Sequence, residues 1–101
     1  MRRRGGKQMN VKHVEGSNKT KSVFLYALST CVWCKKTKQL LTDLNVMYDY
    51  LDVDLLIGEE QTKAMSEIEA VNPQGGFPTM VIDKTKAIVG FRPEEIQAEF
   101  K

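Results

Sequence analysis

The sequence is poor in the residues that bind metals or cross membranes. It contains two cysteines and one histidine in 101 residues. Structural zinc usually has four protein ligands, and beyond the two cysteines the chain offers only His13, which argues against a zinc site. No apolar run approaches the ~20 residues that span a bilayer, and the first residues lack the apolar segment of a signal peptide. We therefore expect a cytoplasmic protein without a metal centre or membrane contact.

The length and composition suit a single domain. Of the 101 residues, 42% are hydrophobic, which is enough to bury a core without disulfides or metal. Residues 1–8 include Arg2, Arg3 and Arg4 but have no periodicity and little apolar content. We expect a disordered basic tail there, followed by one domain over residues 9–101. The arginine run is short and has no interleaved aromatic residues, so nucleic-acid binding is not expected.

The two cysteines, Cys31 and Cys34, form a Cys-x-x-Cys pair between an apolar stretch and a helical pattern. If Ser29 or Thr30 caps this helix, Cys31 lies in the first turn, where unpaired backbone N–H groups stabilise a thiolate. Lys35, one turn further on, adds positive charge. Residues three apart on a helix lie about 5 to 6 Å from each other, which a disulfide can span. The spacing predicts a redox pair with Cys31 as nucleophile and Cys34 as resolving thiol.

Three other interpretations of the pair stay open at this point. A permanent disulfide around so small a loop would restrict the unfolded chain little, and it is unusual in a protein without an export signal. Half of a zinc site would need ligands that the sequence hardly offers. Two unrelated core cysteines are the third interpretation. We favour the redox interpretation because Cys-x-x-Cys at a strand-to-helix junction is typical of redox motifs.

The rest of the sequence alternates between strand and helix patterns. We predict strands over residues 23–28, 47–53, 79–82 and 86–89, and helices over residues 31–44, 58–71 and 93–100. A strand, helix and strand in succession favour a right-handed crossover and a parallel pair. The order βαβαββα predicts an α/β protein with a mixed four-stranded sheet flanked by helices.

Some finer expectations follow from the same patterns. A weak alternation over residues 9–14 predicts an extra N-terminal strand, in a hairpin with the strand over residues 23–28. His13 would lie on the surface of that strand without a partner. Met65 would fill the core beside the second helix. Tyr26 would pack within its strand.

Three motifs give the chain a specific resemblance over residues 21–101. Together with the element order, Cys31-Val32-Trp33-Cys34, Phe77-Pro78-Thr79 and Gly90-Phe91-Arg92-Pro93 resemble the glutaredoxin family, which has the thioredoxin fold. Within that family, the chain looks like the glutaredoxin-like redoxins that reduce ribonucleotide reductase. The resemblance implies a cis Phe77–Pro78 bond beside the cysteines. It also implies a substrate-binding surface formed by Trp33, Lys35, Phe77, Pro78, Gly90, Phe91 and Arg92.

The resemblance also implies the activity, a thiol–disulfide oxidoreductase that acts on protein or small-molecule disulfides. We expect a monomer with no tightly bound cofactor, and ribonucleotide reductase among its partners. Leu28 stands where many glutathione users have lysine, so the expected donor is glutathione, another small thiol or a thioredoxin reductase. Val32 replaces the proline that commonly follows the first cysteine. Some family members without that proline bridge a [2Fe–2S] cluster between two subunits, which is the alternative function.

Overall fold

A computed structural model describes residues 11–100, so the predicted tail over residues 1–8 lies outside the described residues. The chain forms a five-stranded sheet in the order β1-β3-β2-β4-β5. Its strands are β1 (Lys12–Val14), β2 (Val23–Ala27), β3 (Tyr48–Asp52), β4 (Thr79–Ile82) and β5 (Lys86–Val89). The helices are α1 (Val32–Asp43), α2 (Gly58–Val71) and α3 (Pro93–Glu99), and a 3₁₀ turn occupies Val53–Leu55.

The central strand β2 is apolar along its whole length because both faces of the sheet are covered. It pairs parallel with β3 and antiparallel with β4. Leu25 and Ala27 face the cluster that also holds Leu41 of α1 and Ile96 of α3. Tyr26 faces the opposite cluster, which is built around α2. The predicted mixed sheet and its parallel pair are confirmed, and β2 delivers the chain to the start of α1.

The predicted N-terminal strand is confirmed, but its predicted hairpin partner is wrong. Strand β1 pairs antiparallel with β3, with His13 opposite Asp49. Both edges of β2 are already occupied by β3 and β4, so β1 can join the sheet only at an outer edge. His13 is not without partners either, since its ring nitrogens lie 2.7 Å from the Asp49 carboxylate and 2.9 Å from that of Glu15.

Helix α2 has the predicted bounds, but the expectation that Met65 fills the core is wrong. Ala64 and Ile68, four residues apart, form the buried stripe of this helix. Met65 is rotated about 100° from Ala64 around the helix axis, and 43% of its surface is exposed. In the part of the chain that the structure describes, no helix is long and apolar enough to cross a membrane.

Candidate active site

The cysteine pair lies at the start of α1, directly after the loop that leaves β2. Cys31 is itself the N-cap of α1, with extended backbone angles (φ −83°, ψ 119°). Its Sγ accepts a hydrogen bond from the Cys34 N–H at 3.2 Å. The expectation that Ser29 or Thr30 caps the helix is therefore wrong, and the sulfur takes the place of the usual cap oxygen.

Ser29 has a different partner, which explains why it does not cap α1. Its N–H donates to Asp54 Oδ1 at 2.8 Å, and its hydroxyl donates to Asp54 Oδ2 at 2.5 Å. These hydrogen bonds lower the pKa of the Asp54 carboxyl. The Asp54 carboxylate thus fixes the loop two residues before Cys31. Nothing in the local sequence pattern predicts this contact, apart from the position of Asp54 after a strand that ends at the same edge of the sheet.

The two sulfurs have different environments. Cys34 is fully buried, Cys31 is partly exposed, and both cysteines are in the reduced form. Burial raises the pKa of the Cys34 thiol to about 12, and the adjacent Cys31 contributes to the shift. Cys34 is therefore a neutral thiol at pH 7 in the reduced protein. In this arrangement Cys31 is accessible to an external disulfide. Cys34 is buried one helical turn further along α1, within reach of Cys31.

A loop before β4 forms the second part of the site. The Phe77–Pro78 peptide bond is cis, as the resemblance implied. Phe77 and Cys31 pack against the same core cluster. The buried Pro78 accepts a hydrogen bond through its carbonyl from the Gly90 N–H at 2.8 Å. The loop before β4 and the loop after β5 are thus joined.

Two polar side chains hold this loop, Asn72 and the Thr79 of the Phe77-Pro78-Thr79 motif, and neither was predicted to have this role. The Asn72 side-chain amide donates to the Gly75 carbonyl at 2.8 Å and to Thr79 Oγ1 at 3.1 Å. The Thr79 hydroxyl in turn donates to the Gly76 carbonyl at 2.8 Å. Both side chains are buried, and these hydrogen bonds offset the free energy that burying their polar groups costs. The same bonds fix the conformation of the loop. In the sequence, Asn72 only follows the helix predicted over residues 58–71.

Aromatic side chains lie on the surface beside Cys31. The Trp33 side chain is 56% exposed and stacks on Phe91, with ring centroids 5.8 Å apart and planes inclined by 25°. The Lys36 ammonium lies 5.4 Å from the centroid of a Trp33 ring. Two residues predicted to contact substrate, the exposed Trp33 on α1 and the half-buried Phe91 after β5, thus lie on one surface.

The two charged residues predicted to contact substrate, Lys35 and Arg92, have different surroundings. Lys35 is exposed on the first turns of α1. The Arg92 side chain is also exposed, and its Nε donates to the Val89 carbonyl at 2.8 Å and lies 3.6 Å from the Glu95 carboxylate. Lys35 is therefore available at the surface next to the cysteines, whereas Arg92 is held against the start of α3. Their predicted contacts with substrate stay predictions.

Within residues 11–100, no group of three or more His, Cys, Asp or Glu side chains is placed to hold a metal ion.

A mixed sheet with a reduced Cys-x-x-Cys at the start of the first helix and a cis-proline loop beside it defines a redox protein of the thioredoxin fold.

Comparisons with known proteins narrow this class. The model of the glutaredoxin family matches residues 23–86. The glutaredoxin-like 8.6 kDa protein in the rubredoxin operon of Clostridium pasteurianum is 38% identical over 72 residues, which are 71% of this chain and 88% of that protein. The chain belongs to the glutaredoxin family.

Solved structures agree with this assignment and confirm the predicted thioredoxin-like fold. The glutaredoxin from Methanosarcina mazei Go1 is 48% identical, with a TM-score of 0.82 over 94% of this chain and 91% of that one. The methanoredoxin of Methanosarcina acetivorans is also 48% identical, with a TM-score of 0.76 over 78% of this chain and 83% of that one. The family, the fold and the Cys31–Cys34 pair together support thiol–disulfide oxidoreductase chemistry.

Proposed function

We propose that this protein reduces disulfides of proteins or small molecules through the Cys31–Cys34 dithiol. The observation that supports this most directly is the difference between the two sulfurs. Cys31 is partly exposed at the helix start, while Cys34 is completely buried and donates its N–H to Cys31 Sγ at 3.2 Å. The Cys31 sulfur is thus accessible to a substrate. The Cys34 sulfur is shielded from external disulfides and reacts only with the mixed disulfide that forms at Cys31.

The reaction passes two electrons from the dithiol to the substrate. The Cys31 thiolate attacks one sulfur of the substrate disulfide, so a Cys31–substrate bond forms while the substrate S–S bond breaks. The Cys34 N–H is in place to donate to a thiolate at Cys31 before the attack. Cys34 then displaces the second substrate thiol and forms the Cys31–Cys34 disulfide. An external donor reopens that disulfide, and no tightly bound cofactor takes part.

The substrate-binding surface that we propose surrounds Cys31. The Trp33–Phe91 stack, in which Trp33 is exposed and Phe91 half-buried, supplies an apolar area. The Phe77 backbone pairs with the substrate backbone, and the exposed Lys35 ammonium attracts acidic groups. Disulfide-containing proteins are the expected substrates, and we include ribonucleotide reductase because of the Gly90–Pro93 motif. We further propose that the protein acts as a monomer in the cytoplasm, where thiols are kept reduced.

The decisive experiment measures reduction of insulin and of hydroxyethyl disulfide by the wild-type protein and by Cys31→Ser. We expect the wild type to turn over both substrates and the variant to turn over neither. A substitution at the exposed Lys63 of α2, Lys63→Met, serves as a control that should keep full activity. Full protein-disulfide turnover by Cys31→Ser would overturn the proposed function.

The electron donor is found by following the fluorescence of Trp33, the only tryptophan in the sequence, which lies between the two cysteines. Oxidised protein is mixed with millimolar glutathione, with another small thiol, or with NADPH and a thioredoxin reductase. The emission should change when the adjacent disulfide opens. Rapid reduction by glutathione would identify that thiol as the donor, and reduction by the enzyme alone would identify the reductase.

A [2Fe–2S] cluster shared by two subunits is the alternative function predicted from Val32. It would use one Cys31 from each subunit together with two further thiols and would leave Cys34 idle. Visible absorbance and size-exclusion chromatography of freshly purified protein separate the two functions. A brown dimer that bleaches into monomers would favour the cluster, and a colourless monomer with disulfide reductase activity would favour the proposal.

A further inference from the structure

The buried Cys34 poses a chemical problem for the second half of the proposed reaction. The thiolate is the attacking form of a cysteine, but burial raises the pKa of Cys34 to about 12. Burial therefore favours the neutral thiol of Cys34 at pH 7, which attacks a disulfide poorly. A positive charge near Cys34 would therefore accelerate the resolving step.

Lys38 lies one helical turn after Cys34 on α1. Side chains four residues apart on a helix lie on one face, with Cβ atoms about 5 to 6 Å apart. The Lys38 side chain is only 22% exposed, and its ammonium donates to Asp52 Oδ1 at 3.2 Å. The same ammonium lies 4.0 Å from the centroid of the Tyr50 ring. Two residues of β3 thus hold the charge between α1 and the sheet instead of in solvent.

The other lysines of α1 are placed differently. Lys35 and Lys36 are exposed, and the Lys36 ammonium lies over Trp33 on the outer surface. Of the three lysines in this helix, Lys38 is the one whose side chain is largely buried on the side of the sheet. Its position thus distinguishes it from a lysine that only makes the surface positive.

We propose that Lys38, held by Asp52 and Tyr50, stabilises the thiolate of Cys34 in the step that resolves the mixed disulfide. This inference rests on the proposed function. Among the charged and titratable groups, Cys31 and Lys38 act directly on Cys34, and the positive charge of Lys38 lowers the pKa that burial has raised. Tyr50 and Asp52 face Lys38 from β3, and Asp54 of the 3₁₀ turn is within electrostatic reach of it.

The step is balanced without a further reactant. Cys34 loses its proton to water, and its thiolate attacks Cys31 Sγ. The Cys31–Cys34 bond forms as the bond between Cys31 and the substrate sulfur breaks. The substrate sulfur leaves with the electron pair and takes up a proton, so the dithiol is oxidised and the substrate is fully reduced.

The experiment separates the two halves of the reaction. Reduced protein is mixed with a single equivalent of a disulfide-containing peptide, quenched with acid at intervals, and the mixed disulfide is quantified by mass spectrometry between pH 6 and 10. Its formation reports the attack by Cys31, and its decay reports the attack by Cys34. The variants are Lys38→Met, Lys38→Arg, which keeps the charge, and Lys63→Met as the control.

We expect Lys38→Met to slow the decay roughly three- to fivefold at pH 7 and to displace the pH profile of decay to higher pH, because the smaller thiolate population is only partly offset by the higher nucleophilicity of a more basic thiolate. Formation of the mixed disulfide should stay within about twofold of the wild-type rate. Lys38→Arg should restore most of the decay rate, and Lys63→Met should change neither rate. A structural role alone would not move the pH profile of one step.

Decay at the wild-type rate with an unchanged pH profile in Lys38→Met would overturn the inference but leave the proposed function intact. If the wild-type protein formed no mixed disulfide and reduced no disulfide, both would fail. Circular dichroism checks that each variant is folded. Lys38→Gln, which keeps a hydrogen-bond donor for Asp52 without the charge, gives the same test should the methionine variant not fold.

Discussion

Cys34 donates its backbone N–H to the Sγ atom of Cys31 at 3.2 Å, so the partly exposed first cysteine is also the N-cap of α1. The start of α1 therefore fixes the position of the sulfur that attacks the substrate. We expect this N–H to stay directed at the Cys31 sulfur when that sulfur enters a mixed disulfide, and so to keep it close to Cys34. The buried second sulfur then needs no large backbone movement to reach its target.

The first prediction concerns Cys34→Ser. This variant should still attack disulfides through Cys31 but should be unable to resolve the product, because a serine hydroxyl does not displace a thiol under these conditions. We expect mixed disulfides with substrate to accumulate and protein-disulfide turnover to fall to the level of monothiol exchange. Non-reducing electrophoresis and mass spectrometry detect the trapped adduct.

The matched control for Cys34→Ser is the double variant with Cys31→Ser, which should form no adduct. Accumulation of an adduct in that double variant would show that the trapped bond does not involve Cys31. Wild-type turnover by Cys34→Ser would contradict the role of Cys34 as resolving thiol.

The second prediction concerns Asp54, whose carboxylate holds Ser29 in the loop before Cys31. Replacement by alanine removes both hydrogen bonds and should slow disulfide reduction several-fold by misplacing Cys31. The cost in stability should be only about 0.5 to 1 kcal/mol, because the carboxylate is exposed. Steady-state kinetics and urea unfolding measure the two effects.

The same contact has a pH dependence with a defined sign. The pKa of Asp54 is lowered by its bonds to Ser29, so its contribution to stability is present above the ordinary carboxyl value of about 3.9. That contribution is lost as pH falls through the lower folded value. The stability difference between wild type and Asp54→Ala should thus shrink in acid. A difference that stayed constant down to pH 2 would contradict this interpretation.

The sequence predicted the elements and the cysteine pair well, and the reasons are physical. Apolar runs and helical periodicity reflect burial, so β2 and α2 were visible from their own residues. The contact between Ser29 and Asp54 joins positions 25 residues apart, and no local pattern specifies such a pair. Met65 follows a helical spacing but lies beside the buried stripe, which periodicity alone resolves poorly.

The strand that β1 pairs with could not be predicted from the local sequence either. Strand β1 joins β3 because β2 has no free edge, and that follows only from the complete strand order. Lys38 and Asp52 were likewise ordinary charged residues in the sequence. Only the packing of α1 against β3 brings them together beside the buried cysteine.

The third prediction concerns His13 at the edge of the sheet. Its hydrogen bonds to Asp49 and Glu15 raise its pKa above the ordinary value of about 6.5. A raised folded pKa means that His13 contributes stability below the unfolded value and loses this contribution as pH rises through the folded value. We expect stability to fall slightly across that window, and nuclear magnetic resonance titration of the ring protons to show the raised value.

His13→Gln provides the control for this titration, because its side chain carries no charge at any pH. Its stability should not show the decline that the wild type shows as His13 loses its proton. An unshifted ring titration in the wild type would contradict the contacts of β1 with β3.

The last prediction concerns the Trp33–Phe91 stack beside Cys31. Replacing Phe91 by alanine removes an aromatic partner whose contribution is about 0.5 to 1.5 kcal/mol, which corresponds to about two- to tenfold in binding. If this pair receives the apolar part of a protein substrate, KM for a protein disulfide should rise by that factor while kcat stays unchanged. Turnover of hydroxyethyl disulfide, which is too small to cover the pair, should be almost unaffected.

Met65→Ala is the control, because it removes an exposed apolar side chain on the outer surface of α2 and should alter neither substrate's KM. An equal loss with the large and the small substrate would show instead that Phe91 acts by supporting the loop next to Pro78, to which Gly90 is hydrogen-bonded at 2.8 Å.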